Sequence, residues 1–76
     1  MKTLIKDWHQ LAKVKSSKDY HLSITPEDGC GWIMDSKTCR HVEYLSTHTF
    51  YGSQYEFSTR ELNKYGFDVE IDNWDK

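Results

Sequence analysis

No stretch of the chain approaches the ~18 consecutive apolar residues of a membrane-spanning helix, and residues 1–15 carry charges at helical spacing where a secretory signal would carry an apolar block. Only two cysteines are present, Cys30 and Cys39. With no export signal they are expected to be reduced thiols in a cytoplasmic setting, without a disulfide framework. One proline and four glycines exclude a collagen-like or Pro/Gly-rich organisation. Arginine is confined to Arg40 and Arg60, which removes most of the bidentate contacts that phosphate and base recognition favour. At 76 residues there is no room for a second independent core, so one domain over residues 1–76 is expected.

What the chain does have is large side chains. Three tryptophans, five tyrosines and three phenylalanines are too many for a disordered polymer. The net charge of −2 hides an asymmetry. Lys2, Lys6, Lys13, Lys15 and Lys18 outnumber Asp7 and Asp19 at the start, whereas Asp68, Glu70, Asp72 and Asp75 meet no cation within residues 66–75. A basic end opposed to an acidic end is expected.

Leu4, Ile5, Trp8, Leu11 and Ala12 recur at spacings that predict an amphipathic helix over residues 3–14, with Thr3 as its cap and Trp8 in the core. Tyr20, Leu22 and Ile24 then alternate with His21, Ser23 and Thr25, which predicts a half-buried strand. Pro26, Glu27, Asp28 and Gly29 supply a reversal, residues 31–35 a second strand, residues 35–38 another turn and residues 39–46 a third strand. A short helix over 39–46 would also bring Val42 and Leu45 together, so both remain open there. Residues 47–56 read as an aromatic loop. Ser58 and Glu61 form a capping-box pattern that predicts a helix over 59–65 ended by Gly66. Phe67, Val69 and Ile71 alternate with Asp68, Glu70 and Asp72 in a last strand, half buried and half acidic. The fold class is α+β, ordered α-β-β-β-α-β, with an antiparallel sheet packed by two helices.

Cys30, Cys39, His41 and His48 are the candidate zinc ligands, but structural zinc sites take ligands two to four residues apart in each half, and only Cys39 and His41 meet that spacing. No metal or other cofactor is expected. If residues 35–38 form the turn, Cys30 faces Glu43 and Met34 faces Cys39. That register leaves the two sulfurs roughly 13 Å apart, beyond the ~7 Å limit for bridged Cα atoms. Ser46 and His48 lie near each other, yet no nucleophile elbow or glycine-rich loop accompanies them, so no enzyme is expected. The acidic strand residues read as a solvated face.

Protein binding is the class the composition favours, because Tyr44, Phe50, Tyr51, Tyr55 and Trp74 exceed what so small a core can bury and aromatics dominate interface hot spots. Trp74 either folds back or docks on a partner. The expected surface is Tyr51, Tyr55, Asp68, Glu70, Asp72, Trp74 and Asp75, meeting a protein with a basic surface. The alternative is a nucleic-acid-associated protein using the N-terminal lysines, and the third reading is a small zinc protein. In size, acidity and aromatic content the chain resembles the compact accessory proteins of bacteriophages and mobile elements. The resemblance implies a protein that binds and blocks a host machine, and it allows an anti-defence inhibitor such as an anti-CRISPR protein.

Overall fold

The structure, a computed structural model, describes residues 2–74. It is an α+β domain with an antiparallel three-stranded sheet, a separate parallel pair and two helices. The chain begins as strand β1, Thr3–Ile5, and turns into helix α1, Trp8–Ala12. The expected helix over 3–14 is thus shortened from its start. Its cap is Asp7, not Thr3, and the Asp7 carboxylate accepts the Gln10 N–H at 2.8 Å. The strand replaces the first helical turn because Thr3 to Ile5 pair in parallel with strand β5, Val69–Ile71. In that pairing only Ile5 of the three turns inward, and Leu4 is exposed.

Strands β2, Tyr20–Thr25, β3, Cys30–Asp35, and β4, His41–Ser46, form the meander in the order β2-β3-β4. Residues 41–46 are strand, which settles the helix alternative. The β3 to β4 register differs from the one expected, with Cys30 opposite Ser46 and Ile33 opposite Glu43, and shifts between Ile33 and Met34. Val42 is the extra residue of that bulge. Both cysteines are free. At Gly31 an added Cβ would lie 2.5 Å from Ile24 Cδ1 and 2.7 Å from the Ser23 carbonyl, so no side chain fits between β2 and β3 there.

The second helix expected over 59–65 is present as α2, Gln54–Lys64, which starts earlier, and a 3-10 turn at Thr47–Thr49 opens the segment 47–56 expected to be loop. The Ser58 capping box is overturned. Ser58 is buried inside α2, where its hydroxyl donates to the carbonyls of Gln54 and Thr49. Gly66, at φ +93°, ends the helix as expected. Its N–H reaches the Asn63 carbonyl at 3.0 Å and the Phe67 N–H reaches the Leu62 carbonyl at 3.1 Å, the two bonds of a Schellman motif, with Leu62 and Phe67 both buried. The far edge of β5 is closed by α2 through side chains. Thr59 Oγ1 accepts the Ile71 N–H at 3.0 Å, and Asn63 Nδ2 donates to the Val69 carbonyl at 2.7 Å.

One apolar core joins the two sheets. Ile5, Trp8, Leu11, Ile33, Leu45, Phe50, Leu62, Phe67, Val69 and Ile71 form a single buried cluster. Trp8 is in it, as its place on the helix stripe predicts.

Candidate functional site

The described members of the expected surface do not form one patch. Asp68 and Glu70 are exposed beside β5, and Asp72 is half-buried with its N–H on the Ile5 carbonyl at 2.9 Å. Tyr55 packs against the core. Trp74 folds back, meeting Trp8 and Tyr51 edge to face and Phe50 at a tilt, at ring distances of 5.3, 6.3 and 4.4 Å, and its indole N–H donates to the Ile5 carbonyl at 3.0 Å. Tyr51 remains exposed at its edge. Asp75 lies outside the described residues.

The two charged ends are not opposed either. Parallel pairing of β1 with β5 brings them together, and Lys13, Lys15 and Asp68 line one hollow. The four candidate zinc ligands are also dispersed. Cys30 lies at one end of β3, whereas Cys39 follows the turn at its other end and the His41 ring stacks on Trp32 at 4.3 Å. Among the described residues no three His, Cys, Asp or Glu side chains come together.

Two surfaces stand out instead. The face of the meander turned away from the core carries Trp32, Met34, His41 and Tyr44. There Trp32 lies under both neighbours, with Tyr44 at 4.9 Å, so these rings cover one another. The second surface is a groove of about 430 Å3 between β4 and α2. Its floor is Ile33, Leu45 and Leu62, all buried. One wall is Glu43 and Tyr44 of β4, and the other is Gln54, Phe57, Ser58 and Glu61 of α2. The helical period explains that wall, since residues 54, 57, 58 and 61 share one face. Tyr44 and Phe57 remain 52% and 53% exposed, the most exposed large apolar side chains described.

The groove is anionic. Glu43 and Glu61 line it, and among the described residues no lysine or arginine does. Burial pushes the Tyr65 phenol above its ordinary value of 10.0, and the Glu43 and Glu61 carboxylates push it the same way. Both carboxylates thus act on the same ring. Sequence reasoning missed this site because its walls come from distant segments. A partial signal existed: a helix begun at Gln54 would have put Phe57 and Glu61 four apart, on one stripe.

Comparison of the chain with family models, with curated proteins and with solved structures gave no match in any of the three.

Proposed function

We propose that the protein is a non-catalytic protein-binding module whose acidic, aromatic groove between β4 and α2 receives a basic part of another protein. The observation that carries this is the joining of Glu43 and Glu61 to the half-exposed Phe57 ring over an apolar floor, with Tyr44 at the rim on the outer sheet face. A rigid aromatic side chain already exposed loses little entropy on binding, and a water-poor floor gives it area to bury. The carboxylates draw a cationic partner and fix its placement more than they add affinity. The expected surface of the C-terminal strand supports a smaller part of this reading, because its lysine neighbours offset Asp68 and its largest ring, Trp74, is engaged inside.

The test compares wild type with Glu43→Gln/Glu61→Gln/Phe57→Ala in affinity purification from the native host, followed by mass spectrometry and by thermal melts of both proteins. A partner retained by wild type and lost from a variant that melts alike is the expected result. Equal capture by both overturns the groove as the binding surface.

A further inference from the structure

The edges of the three-stranded sheet differ. Strand β2 has α1 for a neighbour. The β4 edge is the last strand of its sheet, and among the described residues the backbone of residues 42–45 bonds to no segment but β3. It borders the open groove, whose opposite wall is a helix. An unpaired strand beside a groove roofed by a helix is the arrangement in which an extended peptide adds a strand: main-chain bonds give affinity and alternate side chains give specificity. The geometry points to β4 as a strand-addition site for an extended, lysine- or arginine-bearing segment of a partner protein. This rests on the proposed protein-binding function and specifies its mode.

The bulge at Val42 confines regular pairing to Glu43–Ser46, so the added strand is short, about four residues. Side chains alternate across a strand. One set of the guest's side chains therefore enters the groove near Glu43, Glu61 and Phe57, and the other lies outside beside Tyr44. The carboxylates select cations for the first set. An aromatic or β-branched residue suits the second, as the cross-strand partner of a tyrosine.

The probe is an acetylated and amidated decapeptide of alternating lysine and valine, titrated into the isotopically labelled full chain and followed by backbone amide NMR. Two counterparts are N-methylated on all lysines or on all valines. They keep charge and side chains but remove the donors of one edge. Expected are shifts and slowed amide exchange at residues 43–46 with shifts along the groove face of α2, and at least a tenfold loss of affinity for one methylated peptide. If both methylated peptides bind as well as the parent, or if the parent leaves the β4 amides unchanged, strand addition is overturned. The variant Glu43→Gln/Glu61→Gln reads the underlying function separately. Its expected effect is a tenfold weaker binding with a flatter salt dependence, and undiminished binding counts against the acidic-groove reading itself. A ten-residue oligothymidylate that shifts Trp32, His41 and Tyr44 while the decapeptide leaves β4 untouched replaces this proposal with base stacking on the outer sheet face.

Discussion

Two tryptophans meet edge to face in the core, yet their ring nitrogens stand differently. The Trp8 N–H is buried and without a hydrogen-bond partner among the described residues, whereas the Trp74 N–H donates to the Ile5 carbonyl. A buried orphan donor carries a desolvation penalty of about 1–3 kcal/mol that the packing of the ring must outweigh. Replacement therefore separates area from hydrogen bonding. Trp8→Ala removes the ring and should cost about 3–5 kcal/mol, most of what a domain this small has. Trp8→Phe keeps an aromatic body and removes an unsatisfied group, so its cost should be far below that of Trp8→Ala. Trp74→Phe loses a made bond, about 1 kcal/mol, although the Ile5 carbonyl keeps its bond from the Asp72 N–H. Urea titrations of the three variants check the order. A Trp8→Phe as damaging as Trp8→Ala would mean that the indole nitrogen has a partner after all.

At the scale of single elements, the turn between β3 and β4 shows how one side chain closes a hairpin. The Asp35 carboxylate accepts the N–H groups of Lys37 at 2.8 Å and Thr38 at 3.1 Å, and the Cys39 N–H closes on the Asp35 carbonyl at 2.8 Å. The backbone N–H of Thr38, then that of Lys37, hold its pKa below the ordinary 3.8. A depressed carboxylate stabilises the fold above the unfolded value of 3.8, and that contribution fades as the pH falls through the lowered folded value. Denaturant midpoints measured from pH 6 down to 2 should therefore fall less steeply in Asp35→Asn than in wild type, and parallel curves would show that the turn does not depend on the ionised carboxylate. Local chemistry of this kind is what a sequence displays well. The alternations in β2 and β5, the turns on either side of β3 and the glycine stop at Gly66 were all legible, because each depends on neighbours a few residues away. The first strand was not, since Leu4 and Ile5 fit both the helical stripe and the strand until the pairing with β5 is known. Asp7 and Gln10, one capping the helix and the other reaching back to the Lys6 N–H at 2.6 Å, were the local sign that the helix starts later. Ser58 and Glu61 made the same pattern inside a helix, where burial of the serine overrode it. The groove was invisible for a different reason: only tertiary packing sets Glu43 of β4 opposite Glu61 of α2.

The whole molecule has a radius of gyration of 11.3 Å, close to the ~11.4 Å of a compact chain of its length. Its two sheets share one core rather than owning one each. Ile33 and Leu45 of the meander lie in the same buried cluster as Ile5 and Ile71 of the parallel pair. The pair itself joins the first strand to the last, so it forms only after the longest loop in the chain has closed, at an entropic cost that the core must repay. Stability should then be cooperative across both sheets despite their separate hydrogen bonding. Ile71→Ala tests this, because it removes a buried side chain from the parallel pair and lies away from every strand of the meander in sequence. The expected loss is about 2–5 kcal/mol, and the variant should unfold as one unit, with far-UV dichroism, tryptophan fluorescence and amide exchange of β3 all reporting the same destabilisation. If β3 amides keep their wild-type protection while those of β1 and α1 exchange freely, the meander is a separate folding unit. The β4 edge and its groove floor at Ile33 and Leu45 would then stand without the C-terminal strand, but α2, tied to β5 through Thr59 and Asn63, would lose its support. The groove exists only where both halves are folded, so a ligand bound there as proposed should protect β5 as well as β4 against exchange.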